Sequence, residues 1–304
     1  MALWRRRRWL GGALTLVAGA GVSVSSFRAD RNHDGPDVPT QQDWARPFGV
    51  AWVLSSGGPR AFVHVGVIRA LDELGLRPDL IVGASAGALV GVMRAAGHRG
   101  QALQDLALTA SPWRVVRVNP FGPPWLSGDA LADWVRSGVG GRPLQSLDVP
   151  VACVAWRPSA QTLVAFNQGD AGLAVQASSA IEGHFSPVVL DGVPHMDADL
   201  HQPLPVRLAR RLGAQRVLAV DASAHEDRAP EGTEAWRAGD LRKRALTEPD
   251  ARDADLLLHP DTGYYAGFSR DYRKRVMAIG YRETMARATA LRALHAGDKL
   301  RLSA

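Results

Sequence analysis

The sequence predicts an α/β fold with a central, mostly parallel sheet covered by helices on both faces. Three observations carry that prediction. Short apolar runs alternate along the chain with longer runs of helical periodicity. Glycine-rich turns follow directly on two of the apolar runs and open into helices, at Ser56-Gly57-Gly58-Pro59 and at Gly83-Ala84-Ser85-Ala86-Gly87. A length of 304 residues with 46% hydrophobic residues suits one large catalytic domain.

The elements follow in order. Residues 5–8 are all arginine and precede an apolar stretch at 9–24 rich in Gly and Ala. That is the layout of a secretory signal, so 1–27 is expected to be a signal peptide or N-terminal anchor. Retained or cleaved, it places the rest outside the cytoplasmic membrane, because the basic cluster stays inside. The alternative is a basic tail on a cytoplasmic protein. Residues 28–46 are polar and mixed in charge and are expected to form a flexible linker. Strands are expected at 50–54, 80–82, 151–156, 162–166, 188–190 and 217–220, where β-branched and apolar residues cluster. Helices are expected at 61–74, 88–96, 101–110, 129–135, 171–181 and 204–212. The core is thus 47–222. Residues 223–304 form an extension packed on it, ending in a helix at 285–300.

Composition excludes several function classes. The net charge is +6, of which residues 5–8 supply four, so the body is close to neutral. No basic stripe interleaved with aromatics is present, which argues against a nucleic-acid partner. Cys153 is the single cysteine and lies in an apolar run, so it reads as core packing. No histidine pair has metal spacing, and neither a metal nor a cofactor is implied. The Pro-rich loop 120–126 reads as a surface loop pinned by Trp125, or as a lid. Oligomeric state is not legible.

The chemistry-bearing residues lie at the turns. Strand, sharp turn and helix around Ser85 are the context of a nucleophile elbow, in which Gly83 and Gly87 let the backbone turn tightly. A plain strand-to-helix turn also fits this pentapeptide. The N–H groups of Gly57 and Gly58, at a helix start, suit an anion such as the oxyanion of acyl transfer. A simple β-to-α loop fits them too. Asp197 precedes another helical run.

Leu54-Ser55-Ser56-Gly57-Gly58-Pro59-Arg60-Ala61, then Gly83 to Gly87, then Ala177-Ser178-Ser179-Ala180-Ile181-Glu182-Gly183, then Asp197-Ala198-Asp199 together resemble the patatin-like phospholipases, over about residues 50–222. The resemblance implies a patatin-like three-layer α/β sandwich and hydrolysis of phospholipid or other lipid esters at a membrane surface. It implies Ser85 as nucleophile and Asp197 as its base, without a catalytic histidine. Gly57, Gly58 and Arg60 match the family's oxyanion loop.

The chain departs from the family pattern at Ser56 and Ala61, where glycines are usual, and at Ala198 and Asp199, where the family reads Gly-Gly or Gly-Ala. Pro59 has no N–H to donate. If the position after the base takes positive φ, Ala198 is strained there, and the Asp199 carboxylate raises the pKa of its neighbour. Two alternatives follow: a weakly active or non-catalytic lipid-binding relative, and a Ser–Asp–His esterase of small esters using His201, His225 or His259.

Overall fold

A computed structural model describes residues 32–110, 115–119 and 123–297. The segment read as a signal or anchor lies outside the described residues. Among those described, no helix is long and apolar enough to cross a membrane.

In chain order the elements begin with β1 (Asn32–His33) and β2 (Phe48–Leu54). Then come α1 (Phe62–Glu73), β3 (Leu80–Ala84), α2 (Ala86–Ala95) and α3 (Gly100–Thr109). A small hairpin, β4 (Arg117–Val118) and β5 (Leu126–Ser127), leads to α4 (Asp129–Gly138), β6 (Val151–Arg157), β7 (Thr162–Phe166) and α5 (Ala171–Ser178). β8 (Val188–Leu190), β9 (Val193–Asp197), α6 (Val206–Arg211) and β10 (Ala214–Val220) follow. The chain continues through α7 (Glu234–Asp253), β11 (Leu256–Leu258), α8 (Arg270–Ala286) and α9 (Ala288–Ala296).

Among the described residues, nine strands form one sheet in the order β1-β8-β9-β6-β3-β2-β10-β11, with β7 also paired to β6. The centre, β6-β3-β2-β10-β11, is parallel. Strand periodicity divides the side chains between two faces. From β2, Val50, Trp52 and Leu54 enter one core with Val65, Ile68 and Val92 of α1 and α2. Ala51 and Val53 enter the other, with Val206 and Leu208 of α6. The molecule is therefore a three-layer α/β sandwich with a largely parallel sheet.

Residues 32–46, expected to be a flexible linker, instead run along the sheet. Val38 is buried in the core. Gln42 and Asn167 exchange two hydrogen bonds, at 2.9 and 2.7 Å, and the Gln41 side chain accepts the Ala165 N–H at 2.7 Å. The polar composition that suggested a linker serves to satisfy backbone groups beside β7. Trp125 is 47% exposed, so it does not pin its loop to the core.

Two further differences bear on the site. β9 was not foreseen; Pro194 and His195 interrupt its apolar alternation. It is joined to β8 by a two-residue turn, Asp191-Gly192, with φ of 47° and 76°, the conformation of tight hairpins. The 20-residue α7, charged and with Pro249 inside it, was also unforeseen. α8 lies close against α1, where Gly280 meets the backbone of Val63.

Candidate active site

Ser85 caps the N-terminus of α2 with φ 54° and ψ −123°, a backbone region that costs an L-residue about 1–3 kcal/mol. The surrounding chain leaves it no alternative. A Cβ on Gly83 would lie 2.5 Å from the Ala88 nitrogen and the Gly87 oxygen, and one on Gly87 would run into the carbonyl oxygens of Leu54 and Ser55. The second contact presses the elbow against the end of β2. The Ser85 N–H donates to the Ser178 hydroxyl at 2.9 Å, and that hydroxyl donates to the Val154 carbonyl at 2.6 Å. The two serines thus tie the elbow to α5 and β6.

The loop after β2 is held as firmly. The Ser56 N–H donates to the Pro203 carbonyl at 2.9 Å, and buried His64 bonds the Ser55 carbonyl at 2.9 Å. Gly57 packs against Ala222 so closely that a Cβ would lie 2.9 Å from the alanine methyl. Neither the Gly57 nor the Gly58 N–H donates to a carbonyl of another described residue. Arg60 differs from them. Its N–H donates to the Gly57 carbonyl at 3.1 Å and its guanidinium to the Tyr264 carbonyl. It fastens the loop to the C-terminal extension.

Asp197 reaches Ser85 by sheet geometry. β3 pairs along one edge of β6 as far as Ala84 opposite Val154. β7 occupies the other edge from Cys153 to Arg157. β9 therefore takes over the first edge where β3 leaves it, with Asp197 opposite Ala155. Ser85 turns out of the sheet where Asp197 enters, one residue step of about 3.3 Å further along β6. The Asp197 Oδ1 accepts the Asp199 N–H at 2.8 Å. Its Oδ2 is buried without a hydrogen bond of good geometry, although the Ser85 hydroxyl is near enough to favour the ionised carboxyl. Such open geometry is common before substrate binds. Burial, and then the Asp199 carboxylate, push the Asp197 carboxyl up to about 7, against the pull of Ser85, the Asp199 N–H and Lys243.

The departures at Ser56 and Asp199 prove to be one feature. The Ser56 hydroxyl donates to Asp199 Oδ1, and Lys243 of α7 donates both to that carboxylate and, at 2.7 Å, to the Ser56 hydroxyl. Burial works against the charge on Asp199, but Lys243 and Ser56 hold it below the usual carboxylate range. Ala198 is not strained. It is fully buried in the apolar core and is not among the residues with positive φ, because the Asp197–Asp199 hydrogen bond closes the turn without it.

At Ser85 an apolar cavity of about 200 Å³ opens between α1, α2, α3 and α4. Gly58 and Ser85 stand at it, and Val65, Leu89, Met93, Leu103, Leu131 and Phe185 line it. Sequence patterning found these helices but gave no sign of a space between them.

None of the three candidate histidines bonds to Ser85 or Asp197 among the described residues. His201 stacks on Trp156 at 3.7 Å, and His225 and His259 stack on each other at 3.8 Å. His225 bonds the His259 carbonyl at 3.0 Å, and His259 the Ser223 carbonyl at 3.1 Å. Cys153 is buried in β6, where burial pushes its thiol up. Among the described residues no cluster of His, Cys, Asp or Glu is placed to hold a metal ion.

A family model described as patatin-like phospholipase matches residues 52–210, which is more than half of the chain and holds both Ser85 and Asp197. The chain belongs to the patatin-like phospholipase family. An uncharacterized NTE family protein of Mycobacterium bovis is 32% identical over 198 residues, covering 62% of this patatin-like chain and 54% of the relative. The chain thus spans about half the length of that relative. A lysophospholipase of Lodderomyces elongisporus is 27% identical over 187 residues, 60% of this chain and 13% of the fungal protein. Among solved structures, VipD from Legionella pneumophila is similar with a TM-score of 0.44 and 13% identity, covering 88% of this chain and 72% of VipD.

Proposed function

We propose that this chain is a lipid acyl hydrolase that cleaves carboxylic esters of phospholipids or lysophospholipids through an acyl-enzyme on Ser85. The observation that carries the reading is the placement of Ser85. It sits in a strained elbow, beside the unsatisfied oxygen of a buried carboxyl and at an apolar cavity fit for an acyl chain. The sequence likeness to a protein named lysophospholipase supports the same substrate class.

In this mechanism the Ser85 hydroxyl attacks the ester carbonyl while Asp197 Oδ2 accepts its proton. The N–H groups of Gly57 and Gly58 stabilise the oxyanion. Arg60 holds their loop in place. The tetrahedral adduct collapses, the alcohol or lysolipid leaves with the proton from Asp197, and the acyl group stays on Ser85. Asp197 then takes a proton from water, which attacks the acyl-enzyme, and returns that proton to Ser85 Oγ as the fatty acid leaves. A base poised near 7 is matched to neutral pH. kcat/KM is expected to rise through pH 7 as Asp197 loses its proton.

The test is hydrolysis of a phospholipid and lysophospholipid panel, with fluorophosphonate labelling of the serine. Ser85→Ala and Asp197→Asn are each expected to lower kcat on the order of 10³-fold or more, and the double variant little further, because the two groups act as one unit. Turnover of wild-type size in Asp197→Asn, or labelling that survives Ser85→Ala, overturns the reading.

A further inference from the structure

We propose that Lys243 is a positioning residue of the Ser85–Asp197 pair: with Ser56 it fixes and neutralises Asp199, the second carboxylate beside the base. The inference rests on the hydrolase reading above and extends it to a helix beyond the residues the family model matches. It is carried by geometry. One oxygen of Asp199 receives both the Ser56 hydroxyl and the Lys243 ammonium, which also donates to Ser56 at 2.7 Å. The Asp199 N–H in turn holds Asp197 Oδ1 at 2.8 Å. Lysine, carboxylate and base thus form one chain of contacts. It joins three segments of sequence: the loop after β2, the turn after β9, and α7.

The reason for the arrangement is electrostatic. Two carboxylates two residues apart beside a buried serine repel each other, and the more buried one then keeps its proton. An ammonium on Asp199 offsets that repulsion. The other charged groups nearby are otherwise engaged. Arg157 and His195, from β6 and β9, face each other at 3.3 Å. On α7, Asp240 accepts the Tyr264 hydroxyl, Arg244 pairs with Glu226, and Asp250 is held by Arg207 at 2.9 Å. His201, after Asp199, is stacked on Trp156. Asp221, His225, Glu248 and His259 line a polar cavity that Lys243 also lines and Asp197 does not. Asp199 and Lys243 remain as the charges that act on the base, with opposite signs.

Opposite signs make the inference testable. The full-length chain, labelled with ¹³Cγ-aspartate, is titrated by NMR, with the Asp197 signal assigned by its loss in Asp197→Asn. Lys243→Met is expected to raise the Asp197 midpoint by about one pH unit, and Asp199→Asn to lower it by a similar amount. Lys243→Arg, which keeps the charge, is expected to hold it near the wild-type position. The acidic limb of kcat/KM on a lysophospholipid should move with the midpoint in each variant. A merely structural lysine would not shift the midpoint in one direction while its partner shifts it in the other. An unmoved Asp197 midpoint in folded Lys243→Met overturns the proposal. If that variant does not fold, an unmoved or raised midpoint in Asp199→Asn overturns it instead. If the midpoints move and the rate limbs do not, the linkage stands and the assignment of Asp197 as the base falls.

Discussion

The two sides of Ser85 are built on different principles. Toward α1–α4 the serine faces a mostly apolar cavity, with Gln176, Ser179 and Ser186 among its walls. Through Asp197 it meets a network of paired charges that reaches α6 and α7: Asp197 beside Asp199, Asp199 under Lys243, and beyond them Asp250 held by Arg207 and Gln202. Burial of apolar surface is non-directional, so the first side tolerates change in proportion to volume. A buried charge is stable only while its partner is in place, so the second side fails one group at a time. On the hydrolase reading proposed above, substrate fit falls to the first and the proton transfers to the second.

The sharpest way to break this contrast is to remove the charge from the buried Asp197 carboxyl. The Asp197 carboxyl is raised from 3.8 to about 7 on folding, so the folded state holds its proton more tightly than the unfolded state does. Its contribution to stability is therefore complete below about pH 4 and is lost as pH rises through 7. Above that range the ionised carboxylate costs on the order of 4 kcal/mol. Asp197→Asn, which keeps the acceptor for the Asp199 N–H, should be more stable than wild type at pH 8 and have no such advantage at pH 4. Calorimetric melting at the two pH values checks this; a pH-independent difference would break the contrast.

The cavity side is sharpened by filling it. Ala107 of α3 lines the cavity and is buried. Ala107→Trp should shut out the end of a long acyl chain. Each excluded methylene forfeits about 0.8 kcal/mol, so three forfeit about 2.4, on the order of 60-fold in kcat/KM. Butyryl esters should be cleaved at the wild-type rate. A chain-length profile that falls evenly for short and long esters would show that the cavity is not the acyl site.

The smallest effect is expected between the two sides. Ala198 lies fully buried without positive φ, so Ala198→Gly relieves no strain. It should cost about 1 kcal/mol of stability through added chain entropy and bring no gain in turnover. A rise in activity would mean that the turn after the base is strained after all.

How much of this was legible in the sequence follows from how local each constraint is. The Ser85 elbow could be read because its signal lies within five residues: glycines where a Cβ would come within about 2.6 Å of neighbouring backbone atoms. The parallel core could be read because β2, β3, β6 and β10 are nearly continuous apolar runs. Asp197 was reached only through likeness to a family, since β9 carries a proline and a histidine and does not alternate as a strand should. Ser56 and Asp199 were visible only as two unrelated departures, 143 residues apart; the fold makes them partners. Lys243 gave no signal, because a charged helix containing proline has neither an apolar stripe nor a motif. Polar residues at 32–46 misled for the opposite reason: composition reports solvation, and here the solvating partner is the sheet.

The turn at Asp191-Gly192 acts as a ruler for the chemistry. It joins β8 to β9 with two residues and so fixes their register, Leu190 opposite Val193, in the strand whose Asp197 stands opposite Ala155. Side chains alternate faces at every step, so lengthening or shortening the strand by one residue on the serine side would turn the carboxyl to the far face of the sheet and present Met196 or Ala198 in its place. In this chain the length of the hairpin is thus a tighter constraint than its composition.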